Sequence, residues 1–203
     1  MSELHPIFAE CCDPNYKRYD ISRPFVRGEW ICATDGRILV RCPRAGIEWP
    51  DEPDRKVPKA ESIFDDISRT AFPLPECEGP KPCPECKGTG VNASGEIVCE
   101  ESGIIFPILR HGKPVEIDCE VCDGEGSGFN FDGPIRSLLV RDTPRYYLGE
   151  NYAWLLRKHG VGEIHVPDST RYTALYFVGD GFDGWLMPHN TERVEAELQD
   201  ATA

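Results

Sequence analysis

The chain has 203 residues, 40% of them apolar, and 35 Asp and Glu against 22 Lys and Arg give it a formal net charge of −13 at pH 7. That length suits one domain with a sizeable insertion, or two small domains, around a modest core. No apolar run approaches 20 residues, which excludes a helical membrane span. The N-terminus has no basic stretch followed by an apolar one, so no secretory signal is expected.

Residues 3–12 read as a short helix with Pro6 in its first turn, broken by Asp13-Pro14-Asn15. Cys11 and Cys12 are adjacent, splay apart, and read as packing residues rather than ligands. Strands are expected at 24–26, 30–33 and 37–42, with turns at Arg27-Gly28-Glu29 and Thr34-Asp35-Gly36; an Asp-Gly pair between apolar runs is a strong hairpin signal. Residues 43–61 are rich in Pro and charge and read as a loop, followed by a short helix at 60–68 with Ile63, Phe64 and Ile67 on one face. Pro73, Pro75, Pro80 and Pro82 stiffen the entry to the cysteine-rich segment. Small strands are expected at 96–99, 103–108 and 114–117, around His111-Gly112. The pattern then becomes a strand at 135–141, a helix at 149–159 stopped by Gly160, and strands at 163–166, 174–178 and 184–187. A glycine-rich turn spans 179–184, and the charged tail from Thr191 is expected to fray.

The strongest signal is an internal repeat. Cys83-Pro84-Glu85-Cys86-Lys87-Gly88-Thr89-Gly90 and Cys119-Glu120-Val121-Cys122-Asp123-Gly124-Glu125-Gly126 are both C-x-x-C-x-G-x-G. Two residues between cysteines let both thiolates of a tight turn point at one ion. The glycines suit a positive-φ turn and the close approach of backbone N–H groups to sulfur. Cys83, Cys86, Cys119 and Cys122 together supply the four ligands of one structural zinc, a closed site without a place for a catalytic water. Two disulfides, or four free thiols, are the competing readings. Metal-type spacing without a secretory signal favours a reducing compartment, the cytoplasm. Cys77 and Cys99 are spare thiols beside the motif; packing is the preferred reading, and the alternative for Cys77 is to cap a hydrogen-bond network or exchange into the site.

The repeat resembles the cysteine-rich zinc hairpins of the J-protein (DnaJ-type) co-chaperones. Those carry four copies and bind two zincs, whereas this chain has two copies and no His-Pro-Asp. The resemblance covers about a quarter of the chain and implies a metal hairpin rather than a co-chaperone.

A second resemblance lies in the flanks. The string Trp30 to Leu39, with Ala33-Thr34-Asp35-Gly36, and the string Ala174 to Pro188, ending Met187-Pro188, resemble strand pairs of a domain of the bacterial DNA polymerase sliding clamp. The helix from Tyr147-Leu148 to Gly160 occupies that family's helix position. This likeness covers about half of the chain and implies one clamp-like domain with zinc hairpins inserted between its halves. The setting expected for such a protein is DNA replication or a phage–host context. A ring clamp needs several such domains, so a single one would have to form a homo-oligomer or do a different job. The expected architecture is therefore α+β: two strand-rich half-domains with short helices, 1–75 and 129–190, an inserted zinc hairpin module at 76–128, and a flexible acidic tail at 191–203.

Residues 76–126 hold eleven Asp and Glu against four Lys and Arg, a net −7. An acidic finger is a poor groove-binder for DNA, whose affinity rests on phosphate neutralisation. Direct DNA contact stays open, since basic residues confined to one face can still meet it. No G-x-x-x-x-G-K-[ST], H-E-x-x-H or G-x-S-x-G string is present. Asp180 and Asp183 lack the remaining ligands of a calcium loop, and His159 and His165 are scattered. No residue is nominated as catalytic. The expectation is a non-enzymatic interaction protein that presents an acidic zinc hairpin to a protein partner with a basic surface. The alternatives are a nucleic-acid-mimicking inhibitor or decoy, and an enzyme whose site only the fold would reveal.

Overall fold

A computed structural model describes residues 4–52, 54–59, 68–89, 91–93, 96–98, 105–107, 109–110, 113–114, 116–119, 121–122, 125–129, 137–142, 144–168, 174–192 and 194–195. The chain divides into two compact units, Met1–Cys77 with Ser137–Ala203, and Glu78–Arg136.

In the first unit Pro6, with its fixed φ, leads into a single helical turn, α1 (Ile7–Glu10). Of the longer helix expected at 3–12, this is the helical part among the described residues. It ends at Cys11, whose N–H still donates to the Ile7 carbonyl at 3.0 Å, and beyond it the Asn15 N–H donates to Asp13 Oδ1 at 2.8 Å. Cys11 is buried, and the Cys12 thiol donates to the Phe8 carbonyl at 3.1 Å, so both serve packing. A meander comes next: β1 (Phe25–Arg27), β2 (Trp30–Thr34) and β3 (Ile38–Pro43). The β2–β3 turn is held by its own side chains: Asp35 Oδ1 accepts from the Arg37 and Ile38 N–H groups at 2.8 and 2.9 Å.

The next strand of this unit, β4 (Arg69–Pro73), was not expected from sequence. It shows no clean alternation and ends at a proline, both of which fit an edge strand better than a central one. The helix expected at 60–68 lies outside the described residues except for Ser68. After the second unit come β5 (Ser137–Asp142) and β6 (Arg145–Gly149), a hairpin of their own, then α2 (Glu150–Lys158). Sequence reading missed β6 because Tyr146 to Gly149 are buried in succession and carry no period of two. The unit closes with β7 (Glu163–Pro167), β8 (Leu175–Gly179) and β9 (Phe182–Leu186). The turn expected over 179–184 is shorter, since Phe182, Asp183 and Gly184 already belong to β9.

Seven strands form one antiparallel sheet in the order β1-β2-β3-β9-β8-β7-β4. Both flanks of the insertion contribute: β3 pairs with β9, and β4 with β7. The unit is strand-rich, with a large antiparallel sheet and few short helices. Alternate residues on one sheet face, including Ile31, Val40, Ile164, Phe177 and Leu186, pack with Ile7 and Phe8 of α1 and with Tyr152, Ala153, Leu155 and Leu156 of α2. Each large apolar side chain buried here contributes about 1.5–3 kcal/mol. On the other face Cys32 and Leu39 pack with Ile21 and Phe25. Beside them Arg41 forms a bidentate pair with Asp183 at 2.8 and 3.0 Å, 142 positions away. The Tyr176 hydroxyl donates to the same carboxylate at 3.0 Å. The start of the tail is docked: Val194 is buried and Glu195 pairs with Arg145 at 3.1 Å.

The last turn of α2 is tied to α1. Lys158 Nζ lies 2.8 Å from Glu10 Oε2, and His159 Nε2 lies 3.0 Å from Glu10 Oε1. Burial pulls the Glu10 carboxyl up, but hydrogen bonds from Lys158 and His159 outweigh it and hold it below its ordinary value of 4.5. A carboxyl depressed by folding adds stability that is fully present above its unfolded value and lost as pH falls through the folded one. Glu10→Gln is therefore expected to lose less stability than wild type on acidification below pH 4.5, read from urea midpoints. The effect is small and fades with salt, because the pair is partly exposed. Parallel pH profiles for the two proteins would refute it.

The described strands of the second unit form short antiparallel pairs. Val91–Ala93 pairs with Glu116–Asp118, Glu96–Val98 with Ile105–Pro107, and Leu109–Arg110 with Lys113–Pro114. At its base Lys81–Pro82 pairs with Ser127–Gly128, which brings the two ends of the repeat region together.

Candidate metal centre

The ladder at the base of the second unit sets the two C-x-x-C turns against each other. The Cys83 N–H donates to the Gly126 carbonyl at 2.8 Å, just beyond the Ser127–Pro82 pairing. In the first turn Lys87 and Gly88 come after Cys86 with φ of +53° and +91°, a left-handed reversal that costs little at glycine. The Thr89 N–H and hydroxyl both donate to the Cys86 carbonyl, at 3.1 and 2.8 Å. In the second turn the N–H of Gly126, at φ +75°, donates to Cys122 Sγ at 3.2 Å. This is the backbone-to-sulfur contact expected of the motif's glycines. Gly90 and Gly124 lie outside the described residues.

These turns bring all four predicted ligands together. Cys83, Cys86, Cys119 and Cys122 are buried, and their Sγ atoms lie within 4.8 Å of one another. Cys83 Sγ is 3.8 Å from Cys119 Sγ, and Cys86 Sγ is 3.7 Å from Cys122 Sγ. A disulfide needs about 2.05 Å, so these sulfurs are not paired covalently. A tetrahedron with metal–sulfur bonds of about 2.3 Å has edges of about 3.8 Å. The observed separations fit that edge, and the four cysteines could hold a metal ion. Burial pushes the Cys122 thiol up to about 12, and the neighbouring thiols of Cys86, Cys119 and Cys83 add to it, while the Gly126 N–H acts the other way. A cation among the sulfurs would reverse that balance and hold them as thiolates.

Among the described residues no other group of three or more His, Cys, Asp or Glu ligand atoms gathers in this way. Cys77 packs against the core of the first unit, where burial raises its thiol, and Cys99 lies outside the described residues. His159 caps α2 beside Glu10, and the His165 ring lies 5.7 Å from that of Tyr176. Asp183 is engaged by Arg41, and Asp180 sits in the two-residue turn between β8 and β9.

The first unit also holds a cleft that the sequence reading did not anticipate. Tyr16, Tyr19, Arg37, Leu39, Lys59 and Trp185 are among its lining residues. The available signal was Tyr16-Lys17-Arg18-Tyr19, two rings flanking two cations in an otherwise acidic chain.

Comparison with known proteins finds no family model, no curated protein and no solved structure that matches this chain. The likenesses to J-protein zinc hairpins and to a clamp domain therefore rest on the strings that carry them. No helix among the described residues is long and apolar enough to cross a membrane.

Proposed function

We propose that this chain is a non-enzymatic, zinc-binding interaction protein of the cytoplasm. In this reading a clamp-like scaffold presents an acidic zinc hairpin to a protein partner with a basic surface, in a DNA-replication or phage–host setting. The observation that carries it is the set of four buried sulfurs within 4.8 Å of one another, two pairs of them at the edge length of a metal–sulfur tetrahedron, within the most acidic stretch of the sequence. Four thiolates suit zinc, and a four-coordinate site leaves no position for a substrate or a water, so the metal is structural. Four thiolates on a divalent ion add about two further negative charges to a region already at −7.

The test is capture of the partner from the native cell at rising salt, with wild type and with Glu96, Glu100 and Glu101 changed to Lys. Exposed charges are screened over about 8 Å at physiological ionic strength, so capture should weaken as salt rises. The triple reversal should slow association more than it speeds dissociation, as expected of steering charges. Capture that is indifferent to both salt and reversal would sink the acidic-interface reading. If duplex nucleic acid competes with this protein for the captured partner, the decoy reading takes its place.

A further inference from the structure

The cleft in the first unit has no part in the function proposed for the zinc hairpin. Its volume is about 320 Å³, within the range of small-molecule sites. Its floor is apolar, with Leu39 and Trp185 both buried. Among the described residues that line it, the charged ones are Arg37 and Lys59, with no carboxylate. Both cations are exposed, and neither stands in an ion pair among the described residues. In a chain with 35 acidic and 22 basic side chains, such a lining favours a negative ligand by its local field.

The rim adds flat faces. The Tyr16 and Tyr19 rings are 6.5 Å apart with planes only 5° from parallel. The Arg18 guanidinium lies 5.3 Å, and Lys56 Nζ 5.9 Å, from the centroid of the Tyr19 ring. Gly36 makes room for this arrangement: at φ +95° its backbone suits glycine, and a Cβ there would lie 3.0 Å from Tyr16 Cε2. Two tyrosine rings and two cations, Arg37 and Lys59, thus line the cleft together with buried apolar side chains.

We infer that this cleft binds a small anion bearing a planar ring, of the nucleoside monophosphate class. A purely apolar ligand would leave Arg37 and Lys59 without a role, and an inorganic anion would leave the floor and the tyrosines without one. A base stacks on an aromatic face whatever its identity, and a phosphate takes charge-assisted hydrogen bonds from Arg and Lys. The expected ligand preference is therefore for the class rather than for one base.

Calorimetric titration of the full chain tests this with the ribonucleoside monophosphates, adenosine, ribose 5-phosphate and a short oligothymidylate. A monophosphate should saturate one site. Adenosine and ribose 5-phosphate, each lacking one half of the ligand, should bind at least about tenfold more weakly. The Arg37→Ala, Lys59→Ala double variant should lose about tenfold or more in affinity. Tyr16→Ala should do the same, with thermal unfolding unchanged in both because all three side chains are exposed. Absence of saturable binding by any monophosphate would overturn the inference. So would undiminished binding by the double variant, or binding confined to the oligonucleotide.

Discussion

Purified protein kept reduced and away from chelators is expected to carry about one equivalent of zinc per chain, and Cys86→Ser to carry almost none. The four sulfurs come from two turns 36 positions apart, and what joins them among the described residues is two short ladders and a few backbone hydrogen bonds. Among the described residues, the buried cluster of this unit is the cysteines themselves. A unit built in this way gains most of its folding energy from the ion, which is worth about 10–16 kcal/mol in small zinc modules at neutral pH. Chelation should therefore raise amide hydrogen exchange across 78–136. The core of the first unit draws its buried residues from the two flanks, so the exchange of its strands should change little. Because the ligands must lose protons to bind, the metal should leave as pH falls. Metal content near zero in chelator-free protein, or exchange that ignores metal removal, would contradict the zinc assignment.

The second large effect is expected at Gly184, in the middle of β9. A Cβ there would lie 2.4 Å from the Leu39 carbonyl oxygen and 2.5 Å from Phe177 Cζ. The carbonyl is backbone in the adjacent strand, and Gly184 is paired with Val40, so relief requires opening the β3–β9 ladder. The ring is fully buried in the centre of the core. Gly184→Ala should cost about 3 kcal/mol, at the upper end for overpacking, which lowers Tm by roughly 6–12 °C at this chain length. Gly162 is the control: a Cβ meets nothing within 4 Å there, and Gly162→Ala should stay within about 0.5 kcal/mol. Equal melting temperatures for the two variants would show that the sheet yields at this contact at no cost, and would refute the expectation.

What the sequence determined by itself was local in origin. The apolar runs Trp30 to Ala33 and Ile38 to Val40 and the Asp-Gly turn between them specify the β2–β3 hairpin, because an Asp35 side chain can satisfy the turn's own N–H groups. Helix α2 was legible for the same reason, from its apolar face and from the glycines at each end. The four cysteines that could hold a metal ion were the clearest case. Spacing within each C-x-x-C determines which sulfurs can share an ion, and the repeat pairs one turn with the other.

The features that the sequence did not disclose depend on contacts between distant residues. Edge strand β4 owes its place to pairing with β7, more than 90 positions later, and nothing in Arg69 to Pro73 announces it. The buried run in β6 reads as a helix approach until its partner β5 is seen. The pairing of Arg41 with Asp183, and the gathering of Tyr16, Arg37, Lys59 and Trp185 around one cleft, arise only when the sheet order is set. Strand order is decided by which apolar faces can be buried together, a property of the whole chain. That is why the four-cysteine cluster could be read from the chain and the cleft could be seen only in the fold.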